Sequence, residues 1–197
     1  MKSLIIETNL FEGRVNEDAS GRTLVKGVLQ RAGAENQNGR VYPKGILERE
    51  VNKYQQLIKE RRALGELDHP DSPVINLKNV SHNIREIGWD GDDVVGIVEI
   101  LSTPSGNILR ELLKNNIRLG ISSRGVGSLK SERGQNIVQD DFELVCFDLV
   151  SSPSTPGAYV FSDPSDREKF EESIEEKPIV DDRMKKLMGK LDNFLSK

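Results

Sequence analysis

"NVSHNIREIGWDGDDVVGIVEIL", residues 79–101, sets two β-rich runs on either side of Asp90-Gly91, a dipeptide suited to the positive φ angles of a tight hairpin turn. In the second run Val94, Val95, Ile97, Val98 and Ile100 leave almost no polar alternation, which predicts a strand covered on both faces. A strand of that kind needs neighbours in its own sheet and further layers above and below it.

Those neighbours are readable in both directions. "RTLVKGVLQRAG", residues 22–33, reads as a strand ending at Gly33, and "NQNGRVYP", residues 36–43, as a turn-rich loop around an Asn-Gly pair. After Pro43, Ile46, Leu47, Val51, Tyr54, Leu57 and Ile58 recur at helical spacing and predict one apolar stripe. Downstream, Thr103 is placed as an N-cap with Pro104 in the first turn, and Ile108, Leu109, Leu112 and Leu113 form a second stripe. "RLGISSRGVGSL", residues 118–129, is a glycine-punctuated strand, and residues 136–154 form a long β-rich run stopped by Pro153. The expected class is therefore α+β, strand-rich with a few helices packed on the sheets.

A chain of 197 residues has room for one main domain and an appendage. The composition turns highly charged after Ser162, so residues 1–162 are taken as the domain. Residues 163–197 are taken as a charged linker and a short C-terminal helix with a stripe of Met184, Leu187, Met188, Leu191 and Leu195. With 28 basic against 32 acidic residues there is no positive field for phosphate backbones, so a nucleic-acid partner is not expected. One cysteine and two histidines leave neither a disulfide framework nor a Cys/His metal cluster, and neither metal nor cofactor is expected. No apolar window is long enough to span a bilayer and the N-terminal apolar run is too short for a secretory signal, which predicts a soluble cytoplasmic protein with no membrane partner.

Three local anomalies carry chemistry. His69 closes the short strand in "GELDHP", residues 65–70. Ser122 and Ser123 lie inside a strand with Gly120, Gly125 and Gly127, and glycine within a strand marks a bulge or a close backbone approach, for which a substrate is one candidate. Alternation puts Ile121, Ser123 and Gly125 on one face and Ser122 and Arg124 on the other, so only one serine can face a given site. In "FELVCFDLV", residues 142–150, alternation places Phe142, Leu144, Cys146, Asp148 and Val150 together, with Asp148 the only charge. A carboxylate on an apolar face must be paired, by an imidazolium, by an arginine or by water near the strand end. His69, a serine and Asp148 are thus a base, a nucleophile and an orienting acid, the parts needed for acyl transfer. The chain order His, Ser, Asp is not that of the chymotrypsin or subtilisin type, and "GISSRGVG" runs from helix into strand, unlike the strand-turn-helix elbow of α/β-hydrolases.

"NQNGRVYP", "GELDHP", "LGISSRGVGS" and "FDLVSSPSTPGA", in this order, resemble the prohead core protein proteases of tailed phages, which are relatives of herpesvirus assemblin. The resemblance covers roughly residues 22 to 162. It implies a serine endopeptidase with an antiparallel β-barrel core ringed by helices, working in the host cytoplasm inside the prohead, often as a homo-oligomer. Its implied substrates are scaffold or core proteins and the major capsid protein, cut after Glu. The family's histidine falls on His69 and its serine on Ser123, with Ser122 the rival one residue earlier; Asp148 takes the acidic role. His82 is the histidine alternative for that third role, and Glu66 and Asp68 are weaker acidic candidates. The oxyanion hole is looked for in residues 151–157 or at Arg124 and Gly125, and the substrate carboxylate is left to Arg85, Arg118, Arg124 or Arg133. Ile174-Glu175-Glu176 fits the implied cleavage context and makes self-removal of the tail after Glu176 an expectation. The competing readings are a catalytically silent capsid-assembly or scaffold-binding protein of the same fold, and a tail-tube-like β structural protein.

Overall fold

A computed structural model of the chain describes residues 2–11, 14–17, 21–36, 38–115, 117 and 119–151. The expectations for the charged tail, the domain border at residue 162, Glu176, Arg118 and most of the 151–157 loop lie outside the described residues. In chain order the elements are β1 (Ser3–Phe11), β2 (Arg14–Glu17), β3 (Thr23–Arg31), β4 (Arg40–Val41), α1 (Lys44–Lys59), β5 (Leu64–Glu66), β6 (Val80–Asp90), β7 (Asp93–Ile100), α2 (Pro104–Lys114), β8 (Leu119–Gly127), β9 (Leu129–Glu132), β10 (Gln135–Val138) and β11 (Glu143–Val150).

The β6–β7 hairpin forms where its sequence predicts, with Asp90 opposite Asp93, so the turn residues are Gly91, at φ 60°, and Asp92. From Val94 to Ile100 every residue of β7 is buried. β7 sits in the middle of a five-stranded sheet of order β2-β3-β7-β6-β5. The other sheets among the described residues are a three-stranded one, β1-β8-β11, and a small one, β4-β10-β9, and among the described strands every ladder is antiparallel except β4 with β10. The architecture is mixed α+β, mostly antiparallel, with two helices among the described residues. Its strands divide into three sheets rather than one closed barrel. The isolated parallel bridge Leu67–Leu149 ties the segment after β5 to β11.

Both helices follow from their stripes. α1 buries Leu47, Val51 and Tyr54, and Tyr54 meets Phe147 of β11 edge-on at 5.6 Å between ring centroids. α2 starts at Thr103, whose hydroxyl accepts from the Gly106 amide at 3.0 Å and donates to Val80 O, satisfying one of the helix's open N–H groups. Leu109 is buried, but Ile108 turns outward and is 55% exposed, so the stripe is narrower than predicted. The long run at residues 136–154 is broken by a turn, Gln139–Phe142, into β10 and β11. β1 pairs with β8 over its full length, from Ser3–Gly127 to Phe11–Leu119, and so fixes the strand that bears both serines.

Period-two counting is interrupted by register shifts at Val28/Gln30, Gly65/Glu66 and Ile84/Glu86, and the shift in β11 is the one that redirects a candidate site residue. Leu144 aligns with Gly125 and Cys146 with Arg124, so a bulge at Val145 turns Cys146 and Asp148 to the opposite face from Leu144. Phe142 packs on Tyr42 on the Gly125 side, at 5.4 Å between centroids. A Cβ on Gly125 would stand 2.5 Å from the Phe142 ring, and one on Gly127 3.0 Å from Phe142 Cα. Those two glycines make room for the protein's own phenylalanine, not for a substrate backbone.

Candidate active site

Alternation along β8 gives Ser122 and Ser123 different surroundings. Ser123 stands opposite Glu7 of β1 and Phe147 of β11, and its Oγ accepts a hydrogen bond from Gln30 Nε2 at 2.8 Å. Glu7, also buried, takes Arg40 Nη1 at 2.7 Å, Asn38 Nδ2 at 2.6 Å and the Tyr42 hydroxyl at 3.1 Å. Asn38, Arg40 and Tyr42 all come from "NQNGRVYP", whose turn is held by Asn36 Oδ1 accepting the amides of Asn38 and Arg40 and by Gly39 at φ 67°. Burial and the Glu7 carboxylate hold the Tyr42 phenol well above its usual range, so it stays a donor. This motif is a brace that locks β1 to the sheet.

On the opposite face, Ser122 stands directly across from Asp148, which puts their Cβ atoms about 5 Å apart. Two residues along, Arg124 is fully buried. Its Nη2 donates to Glu66 Oε1 at 2.8 Å and Asp148 Oδ1 at 3.1 Å, and its Nη1 donates to Ser72 O at 2.7 Å. Its Nε lies 2.9 Å from Asp148 Oδ2 but sends its hydrogen bond to Cys146 Sγ at 3.2 Å, so Oδ2 has ionic contact without a donor aimed at it. Asp148 Oδ1 also accepts from the Glu66 amide at 3.0 Å. One guanidinium therefore serves two buried carboxyl groups. Burial holds the Asp148 carboxyl above the ordinary carboxylate range, against the opposing pull of the Glu66 amide and Arg124. It also raises the Cys146 thiol, which remains a weak donor and not a thiolate.

β11 lies between β8 and the segment carrying His69. Leu67 bridges Leu149, and the Asp68 amide donates to Leu149 O at 2.8 Å. Asp68 then takes φ 64°, a left-handed conformation that Asp tolerates, with its Oδ1 accepting the His69 amide at 3.0 Å. This turn breaks the strand's alternation just before His69, which is half-buried. Among the described residues, the buried side-chain atoms without a hydrogen-bond partner include His69 Nδ1, Ser122 Oγ and Asp148 Oδ2. Glu66 Oε2 on the same segments is a fourth, and since a buried polar atom without a hydrogen bond costs roughly 1–3 kcal/mol, the cluster marks a candidate site.

The remaining sequence candidates fall elsewhere. Asp68 is exposed, while Glu66 is fully buried against Arg124. The Arg124 side chain is fully buried, and its guanidinium is engaged by Glu66, Asp148, Cys146 and Ser72 rather than turned to a substrate carboxylate. His82 has both ring nitrogens engaged, Nδ1 with Ser81 Oγ at 2.8 Å and Nε2 with Phe147 O at 2.9 Å. It reaches Phe147 by passing over Gly65, where a Cβ would stand 2.1 Å from Phe147 O and 2.2 Å from Nε2. Burial pushes the His82 imidazole down to about 4, so it spans β6 and β11 as a neutral strut. Glu7 was not recognised from sequence, though a charged residue inside an otherwise apolar strand, as in "LIIETNL", residues 4–10, is a usable signal; Glu66 was named only as a weaker acidic partner for His69.

No described helix is long and apolar enough to cross a membrane. Comparison with solved structures finds the bacteriophage T4 capsid assembly protease, with a TM-score of 0.74 and 29% identity, covering 77% of this chain and 99% of that one. Among curated proteins, the prohead core protein protease of Enterobacteria phage T4 is 36% identical over 143 residues, which make up 69% of this chain and 66% of that protein. The sequence profile described as prohead core protein serine protease matches residues 5–173, a span that takes in β1 with its buried Glu7, the His69 segment and both serines. Fold, sequence and ordered motifs agree, and the chain belongs to the prohead core protein serine protease family.

Proposed function

We propose that the protein is a serine endopeptidase of phage head maturation, with Ser122 as nucleophile, His69 as general base and Asp148 as the acid that supports the imidazolium. The observation that carries this reading is that Ser122 Oγ, His69 Nδ1 and Asp148 Oδ2 are buried on adjoining segments with no hydrogen-bond partner, Oδ2 having only ionic contact with Arg124, whereas Ser123 Oγ is held by Gln30 on the opposite face. This moves the nucleophile one residue back from the position the motif alone favours.

In the proposed reaction the neutral imidazole of His69 takes the Ser122 proton as Oγ attacks the scissile carbonyl. The imidazolium, which Asp148 is proposed to stabilise, then returns that proton to the leaving amine, and water hydrolyses the acyl-enzyme by the same route. Ser122 is buried within β8, beside Asp148 of β11. The proposed substrates are scaffold or core proteins and the major capsid protein inside the prohead, in the host cytoplasm, cut after Glu. The proposed activating step is self-removal of the tail after Glu176, with the enzyme working as a homo-oligomer.

Incubation with the scaffold protein of the same phage tests the assignment. Cleavage should vanish in Ser122→Ala and His69→Ala and persist in Ser123→Ala. Loss confined to Ser123→Ala would return the nucleophile to that residue, and intact scaffold with every variant and with wild type would favour a catalytically silent assembly protein. Intact mass tests the self-cleavage, since wild type should end at Glu176 and Ser122→Ala at Lys197; identical masses would remove it.

A further inference from the structure

The loop that carries His69 has little core of its own. Asp68, Asp71, Pro73, Val74, Asn76, Leu77 and Lys78 are exposed, Val74 and Leu77 at 72% and 73%, so apolar burial does not fix its course. Two buried polar groups do. Glu66 Oε1, just before His69, accepts the Asn76 amide at 3.0 Å and so closes a ten-residue loop. Arg124 Nη1 takes Ser72 O at 2.7 Å in the middle of it, while Nη2 holds Glu66 Oε1 itself at 2.8 Å. Arg124 is only two residues from Ser122 on β8.

We infer that Glu66 and Arg124 are positioning residues, a buried clamp that sets the His69 loop against the strand of the nucleophile. The inference rests on the proposed roles of His69 and Ser122. Neither clamp residue meets the substrate. Arg124 is suited to the task because a planar guanidinium can face a carboxylate on one side and a backbone carbonyl on another, which an ammonium cannot do with the same fixed directions. A base displaced by about 1 Å loses roughly 100-fold in rate, so a loop without a core needs such a tie.

The test uses the full chain and the scaffold protein of the same phage, with kcat and KM measured separately. Glu66→Ala removes the acceptor of the Asn76 amide and should lower kcat about 100-fold with KM within about twofold. Glu66→Gln keeps an oxygen for both Asn76 and Arg124 and should restore kcat to within a few-fold. Arg124→Lys should resemble Glu66→Ala. If Arg124→Lys does not fold, the Glu66 pair decides alone. Hydrogen exchange gives a readout independent of activity: amides of Leu67–Asn76 should exchange faster in Glu66→Ala and return towards wild type in Glu66→Gln, with β8 and β11 unchanged. Equal kcat and equal loop exchange in Glu66→Ala and wild type would overturn the clamp, as would a rise in KM with kcat intact. A wild-type enzyme that leaves the scaffold uncut would instead overturn the proposed function, and the exchange data would then speak to the clamp by themselves.

Discussion

Ser122 and Ser123 are adjacent on β8, are equally hidden from solvent, and are set in opposite kinds of polar environment. Around Ser123 the hydroxyl is held by Gln30, and the neighbouring Glu7 is met by Arg40, Asn38 and Tyr42. Around Ser122 the charges of Arg124, Glu66 and Asp148 are paired, but Ser122 Oγ, His69 Nδ1 and Asp148 Oδ2 have no hydrogen-bond partner. A completed network holds a fold, because it loses energy if anything in it moves. An incomplete one, buried at a cost, is where a protein keeps groups for a reaction partner that is not yet there. On the proposed assignment, two serines whose Cα atoms are about 3.8 Å apart divide between architecture and chemistry.

The sharpest way to break the comparison is to remove each hydroxyl in turn. Ser122→Ala should reduce scaffold cleavage by at least about 10³-fold, and Ser123→Ala should leave it within a few-fold, by densitometry of the products. The next effect tests the braced face. Arg40→Ala leaves Glu7 buried without its cation and should cost about 3 kcal/mol in denaturant unfolding, with residual cleavage activity per folded molecule close to wild type.

A third test uses pH. His82 is held neutral with its folded pKa near 4 against an ordinary 6.5, so its contribution is fully present above pH 6.5. As pH falls from 6.5 through 4 the unfolded chain binds a proton that the folded chain refuses, and up to about 3 kcal/mol of stability is lost. Urea melts of wild type and His82→Gln across this window should show the wild-type curve falling more steeply; parallel curves would mean that the strut is not what titrates. The smallest effect returns to Ser123. Its alanine variant should lose about 1 kcal/mol, the value of one buried hydrogen bond, with the loss read as a shift in midpoint at constant slope.

Much of the fold was legible because it rests on local pattern. Leu47, Val51 and Tyr54 announced α1, Thr103-Pro104 announced the start of α2, and Asp90-Gly91 announced the hairpin to within one residue. What sequence reading missed depends on pairing between distant strands. The bulge at Val145 is invisible to period-two counting, so Asp148 was assigned to the face of Phe142 and Leu144 when it belongs with Arg124 and Ser122. Glu66 was set aside because its sequence neighbour His69 would not face it, yet its partner is Arg124, 58 residues away. The useful clue was present: a carboxylate stranded among apolar residues needs a cation, and Arg124 shares a face with Ser122, not with Ser123.

The position of β11 sets the order in which function can appear as the chain is made. A nascent chain that has reached Ser128 already contains His69, Ser122 and Arg124, but the strand that lies between them has not been synthesised. Only when Glu143–Val150 arrives do Leu149 and Asp148 join the histidine segment to the serine strand. Contacts of such long sequence separation form late in folding. A nascent chain that stops short of β11 therefore lacks the strand that would bring the proposed His69 and Ser122 segments together.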